Sequence, residues 1–212
     1  MKKIFLITLI FSGLMLVQCK KPESIPAPSN TADLKIHFEG IINGSDVEWT
    51  KNVDGYKAVA RSQYTPQLTG NLLDLAYYCG MFSNSKNSSI EIGLGSLPQD
   101  PTLGTRPTTT TMRAFMNANL LPNFSDTARA GFEILYTDEN GRLFRSDETA
   151  PGFIEFMDLE EKEDNGGQYI QFKATFSGVV RHWGKTITTP LMDSVLATAT
   201  IQNATLIGYY TR

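Results

Sequence analysis

Leu34-Lys35-Ile36-His37-Phe38-Glu39-Gly40-Ile41-Ile42-Asn43-Gly44-Ser45-Asp46-Val47-Glu48-Trp49 is the stretch that decides the fold class. Leu34, Ile36 and Phe38 alternate with Lys35, His37 and Glu39, the period-two pattern of a strand with one wet face. Asn43-Gly44 then interrupts, and Val47 and Trp49 resume the alternation. Asn-Gly between two alternating runs predicts a hairpin, because both residues tolerate the positive φ of a type I′ turn.

Further along the chain the same grammar repeats. Asn140-Gly141 separates Phe132-Ile134-Tyr136 from Leu143-Phe144, and Asp164-Asn165-Gly166-Gly167 separates Phe153-Ile154-Phe156 from Tyr169-Ile170-Phe172. Other strands are predicted at Tyr56 to Ala60, Leu73 to Phe82, Ser89 to Leu94, Ala174 to His182 and Leu196 to Tyr210, the last long enough for two strands bent near Gln202-Asn203. A single segment changes period. Met112, Phe115, Met116 and Leu120 recur at helical spacing, with Thr111 or a neighbour to cap the start and Pro122 to end it, although Thr108 to Thr111 fit a continuing strand equally well. Ser96 to Thr111 is a loop rich in Pro and Thr, long for a compact domain. Many short strands, Gly and Asn turns and at most one short helix predict a mainly β protein. Its expected form is an antiparallel β-sandwich, with a jelly-roll-like or barrel-like closure as the alternative.

Ahead of this body lies a different kind of sequence. Met1-Lys2-Lys3 is basic, Ile4 to Val17 is a 14-residue apolar run, and Cys19 follows just before Lys20-Lys21-Pro22. A basic start and a short apolar run mark a secretory signal, and the run is shorter than the roughly 20 residues that span a bilayer. With Cys19 at the cut, the segment resembles a bacterial lipoprotein signal, in which the thiol is lipidated and becomes the mature N-terminus. Gln18 stands where that pattern carries a small residue, so an ordinary signal peptide or an uncleaved anchor stays open as the alternative. The chain then divides into a lipoprotein signal at 1–18, a lipidated tether at 19–33 rich in Pro, Ser and charge, and a β domain at 34–212. The resemblance implies an outer-membrane lipoprotein, facing the periplasm or the cell surface, that meets the membrane through its N-terminal lipid alone. Once Cys19 is lipidated only Cys79 remains, so the core must hold without an internal disulfide. Cys79, inside Leu75-Ala76-Tyr77-Tyr78-Cys79-Gly80-Met81-Phe82, is expected to be a small buried hydrophobe.

Four blocks carry a wider resemblance: Gly40 to Gly44 running on to Trp49, Ser89-Ile90-Glu91-Ile92-Gly93-Leu94, Gly131 to Gly141, and Phe172 to Gly178. In them the body resembles a family of uncharacterised lipoproteins common in Bacteroidetes. That resemblance implies a β-rich exported domain and brings no catalytic residues to this chain.

Net charge is −3 and the isoelectric point about 5.4, which excludes the basic footprint of a nucleic-acid binder. Asp138-Glu139-Asn140-Gly141 invites a calcium reading, but an EF-hand loop with Gly141 as its glycine needs an acid where Tyr136 stands. A hairpin turn is the better reading. His37 and His182 have no partner at metal-ligand spacing and are expected at the surface or on an edge. No G-x-S-x-G elbow exists, and Gly93-Leu94-Gly95-Ser96 lacks the phosphate-binding fingerprint. No metal or cofactor is predicted. Glu133, Asp138, Glu155 and Asp158 are carboxylates that only three dimensions could pair for glycoside hydrolysis. The acidic run Asp158 to Asp164 reads as a solvated hairpin tip.

Aromatic residues remain: Trp49, Tyr56, Tyr77, Tyr78, Trp183, Tyr209 and Tyr210. Trp49 and most of the tyrosines are expected in the core or as cross-strand partners. Trp183 differs, because Arg181-His182 and Gly184-Lys185 give it a polar setting. Trp183, Arg181 and His182 are therefore the candidate ligand-binding residues, for a glycan or a protein partner. The functional expectation is a non-enzymatic binding or accessory module of the cell envelope. An envelope glycan hydrolase with carboxylates from separate strands, or an assembly partner using an exposed strand edge, are the alternatives.

Overall fold

The computed structural model describes residues 36–67, 72–100, 102, 106–164, 167–186 and 192–211, all within the unit Leu34–Arg212. The signal, Cys19 and the tether lie outside the described residues. The elements in chain order are β1 (His37–Ile42), β2 (Ser45–Thr50), β3 (Tyr56–Pro66), β4 (Leu73–Ser83), β5 (Ser89–Gln99), α1 (Thr109–Ala118), β6 (Phe132–Thr137), β7 (Leu143–Ser146), β8 (Gly152–Asp164), β9 (Gly167–Thr186) and β10 (Met192–Thr211). The molecule is mainly β, and its strands form one antiparallel sheet in the order β2-β1-β10-β9-β7-β6-β5-β4-β3. β9 is the fork: β8 pairs with it from Gly167 to Gly178, and β7 takes over at Val180 and Arg181.

The sheet curls until its inner faces meet. At the ends of the order, Trp49 on β2 stacks on Tyr56 on β3, with ring centroids 4.8 Å apart. Across the middle, Gly208 on β10 faces Cys79 on β4, where an added Cβ would lie 2.6 Å from the sulfur. Only a glycine lets the two layers approach so closely, and the Tyr209 N–H donates to Cys79 Sγ at 3.2 Å. Between the layers lie Phe38, Tyr77, Phe132, Phe156, Phe172, Phe176 and Tyr210, all fully buried. Each such side chain contributes roughly 1.5–3 kcal/mol on leaving water. Cys79 is buried as expected, and burial pushes its thiol up to about 12, so it is inert packing.

Turn chemistry differs between the two Asn-Gly sites. Asn43 (φ 52°) and Gly44 (φ 82°) both sit in the left-handed region, as a type I′ turn requires. At the second site only Gly141 does (φ 75°). The reason is Asp138, whose Oδ1 accepts the N–H groups of Asn140 and Arg142 at 3.0 and 2.9 Å and winds a longer five-residue loop. Its Oδ2 accepts from Arg142 Nε at 2.8 Å, so the carboxylate that suggested calcium serves the turn.

Several strands run longer than the pattern suggests. Tyr169–Phe172 and Ala174–His182 are one strand of 20 residues, and Leu196 to Tyr210 also belongs to one strand. Its bend falls at the predicted place: a bulge between Ile201 and Ala204 holds Asn203 at φ 49°, with the Asn203 N–H bonded to Ser177 Oγ at 3.0 Å. Helix α1 starts under a cap from Thr108, whose Oγ1 accepts the Thr111 N–H at 3.1 Å, and ends at Asn119, before Pro122. It buries Thr109 and, one turn apart, Met112 and Met116. Among the described residues no helix is long and apolar enough to cross a membrane.

Candidate binding surface on the outer face of β6, β7 and β9

Strand alternation places Leu143 and Arg145 of β7 on the outer face, with Phe144 turned into the core. Cross-strand register then sets Arg145 directly opposite Leu135 on one side and Arg181 of β9 on the other. Two residues along β9, Trp183 shares the outer face and is 46% exposed. Leu143, 38% exposed, lies two residues before Arg145 on β7, and its carbonyl accepts from the His182 ring beside Trp183 on β9. The outcome is one row of arginines beside one row of exposed apolar side chains.

Of the three candidates, the structure joins two. Arg181 and Trp183 share the outer face, whereas His182 lies half-buried on the opposite face, its ring 5.7 Å from that of Phe144. Its Nδ1–H donates to the Leu143 carbonyl at 2.8 Å, which ties β9 to β7 and removes His182 from the surface group. Arg181 is anchored from beneath by Asp147 and by Thr149 Oγ1 at 3.3 Å. The Thr149 hydroxyl, outweighing the effect of burial, helped by the Thr149 N–H and Arg181, holds the Asp147 carboxyl below its usual range. Arg142 lies 5.6 Å over the Phe144 ring and is paired with Asp138.

Arg145 escaped the sequence reading, and its surroundings set it apart. Its side chain is 55% exposed, and its acidic neighbour, Glu133 Oε1, lies 3.8 Å away, too far for a hydrogen bond. Glu133 belongs to a row that crosses the sheet from the partly exposed Arg61 through the buried Tyr78 and Gly93. Gly93 leaves the room in which the Tyr78 ring lies, and the Tyr78 O–H donates to Glu133 Oε2 at 3.0 Å. The Ala128 N–H donates to the same oxygen at 3.0 Å, fastening a 3₁₀ turn (Ala128–Ala130) over the sheet. Burial dominates these hydrogen bonds and pushes the Glu133 carboxyl above its usual range. Arg61 completes the row, 3.8 Å over the Tyr78 ring and 2.6 Å from Glu91 Oε2.

The carboxylates named for hydrolysis do not converge. Glu133 holds the 3₁₀ turn, Asp138 winds its hairpin, and Glu155 and Asp158 stand exposed on β8. A different acidic group does: Glu39 and Glu48 are directly opposite on β1 and β2, with Asp46 beside them in an open cleft of about 480 Å³. Their side chains are 58% and 73% exposed, and His37 Nε2 lies 3.7 and 4.0 Å from them. His37 was expected at the surface or on an edge. It is buried, because β1 lies between β2 and β10 and the ring is covered and hydrogen-bonded by Thr50 Oγ1 at 3.0 Å. A smaller, mostly apolar cleft of about 300 Å³ lies over β8, β9 and β10, lined by Phe153, Val179 and Gln202. Trp183 lines neither cleft. Among the described residues no three His, Cys, Asp or Glu side chains are placed to hold a metal ion.

Comparison of the chain with protein-family models, curated proteins and solved structures gives no match.

Proposed function

We propose that the protein is a lipid-anchored, non-enzymatic binding or accessory module of the bacterial cell envelope that takes a glycan on the outer face of β7 and β9. The observation that carries this reading is the exposed Trp183 ring two residues along β9 from Arg181, which pairs with Arg145. An exposed indole offers a flat apolar face with a polar edge, the surface a sugar ring stacks on. The lipobox-like segment around Cys19 supports the anchoring, at the outer membrane, by acyl chains rather than by the body.

The alternatives have less support. Hydrolysis calls for carboxylates whose environments push them into different protonation states, and Glu39 and Glu48 both remain well exposed to water. At β8, which pairs only with β9 among the described strands, edge partnering is opposed by Glu160, Glu161, Glu163 and Asp164 and by a left-handed residue at Asp158.

Trp183→Ala is the test. Loss of stacking should weaken glycan binding by about fivefold or more (~1 kcal/mol), while the melting temperature stays nearly unchanged. A glycan array paired with a thermal melt reads both. A large fall in melting temperature would show that the indole supports the core, and the platform would be lost with it.

A further inference from the structure

We infer that the glycan taken at this face is anionic, a polysaccharide whose sugars carry carboxylates, with Arg145 and Arg181 binding the acid while Trp183 stacks on the ring. The inference rests on the reading of Trp183 as a sugar platform and adds the chemical class of its ligand.

Like charges directly opposite on neighbouring strands repel and destabilise the pair. Arg145 and Arg181 are nonetheless such a pair. Each has an acidic neighbour, but both acids are buried: Glu133 is 3% and Asp147 is 7% exposed. Glu133 is covered on the outer face by the 3₁₀ turn and Asp147 is buried beside Arg181, while the arginine side chains stay 55% and 28% exposed. Arg181 is held in place by Asp147 and Thr149, a fixed half of the site. Arg145 is the adaptable half, since among the described residues it makes no hydrogen bond and its Glu133 contact is 3.8 Å long. A guanidinium has five N–H donors in a planar fork that matches a carboxylate. Arg145 therefore keeps its fork for a ligand.

Spacing fits the same class. Residues two apart on a strand share a face and lie roughly 6.5–7 Å apart. That separation sets the acid of a sugar on the arginine row while its ring, or the next one, covers Trp183 and Leu143. Elsewhere the surface is acidic, at Asp158–Asp164 and at Glu39, Asp46 and Glu48, so an anionic strand meets attraction at this face and repulsion at those.

The experiment uses the full chain in detergent and measures binding calorimetrically to an oligogalacturonate, to a neutral cello-oligosaccharide of equal length and to a sulfated heparin fragment. The expected result is oligogalacturonate binding at least tenfold tighter than the neutral sugar at low salt, falling severalfold between 50 and 300 mM sodium chloride. Arg145→Gln should lower that affinity about tenfold. Arg145→Lys, which keeps the charge and loses the fork, should fall between the two. Melts of both variants show whether they are folded. Equal binding of the neutral sugar, lost in Trp183→Ala but indifferent to salt and to Arg145→Gln, would overturn the anionic assignment and leave the platform standing. Tighter binding of the heparin fragment would overturn the carboxylate assignment. Failure of both the neutral sugar and the oligogalacturonate to bind in a Trp183-dependent way would overturn the platform as well.

Discussion

Glu133 shows what one buried group does to the whole chain's response to pH. The residue is 3% exposed, and burial raises its carboxyl above the ordinary value of 4.5 despite donors from Ala128 and Tyr78. A raised acid holds its proton more tightly when folded, so the folded state binds more protons than the unfolded chain within that window. Its contribution to stability is therefore complete below about pH 4.5 and is lost as pH rises through the higher folded value. Glu133→Gln keeps an acceptor for both donors and cannot ionise. Its melting temperature should gain on the wild type between pH 4 and pH 7. A constant gap across that range, in paired thermal melts, would show that Glu133 is not the group responsible.

At the scale of elements, α1 is held by its N-cap, Thr108, as well as by its buried methionines. Thr108 satisfies a helix N–H that would otherwise lack an intrahelical partner. Thr108→Ala should cost about 1 kcal/mol, lowering the melting temperature by about 2–4 °C in a domain of this size, with the circular dichroism of the strands unchanged. A shift several times larger would mean that the threonine supports the neighbouring loop as well as the helix. Periodicity and turn residues made most elements legible: both β1 and β2, the helix, the bulge at Asn203 and the burial of Trp49 all follow from local pattern. The length of β9 was less legible. Lys173, at the join between the two predicted strands, pairs with Ile207 in a ladder that runs unbroken from Ala204 to Thr211 on β10, and no local signal reveals it.

For the whole molecule, the predictions concern anchoring and autonomy. Residues from Leu34 onward should fold without lipid, metal or disulfide, since Cys79 is buried and unpaired with another cysteine and the aromatic core is large. Cooperative melting of that fragment should be unaffected by a reductant or a chelator, and loss of cooperativity with either would contradict it. Cys19→Ala in the full chain should move the protein from the membrane pellet to the soluble fraction, because the acyl chains are expected to be its anchor. Retention in the pellet after a high-salt wash would refute the lipid tether.

Sequence by itself determined the class of structure and the candidate aromatic. Alternation is a property of residues two apart, and an Asn-Gly or Thr cap acts within four residues, so strands, turns and helix were fixed locally. Trp183 could be singled out because its neighbours are polar. Beyond the three hairpins, tertiary structure alone decided which strands are neighbours. Bringing β7 beside β9 joins Arg145 to Arg181 across 36 positions, and bringing β1 beside β10 buries His37 beside residues near the other end of the chain. Those pairings are chosen by how the aromatic inner faces fill the curled sheet, a global packing condition that no window of sequence contains. The same condition set His182 on the opposite face and left Trp183 outside, because neighbours on one strand must face opposite ways.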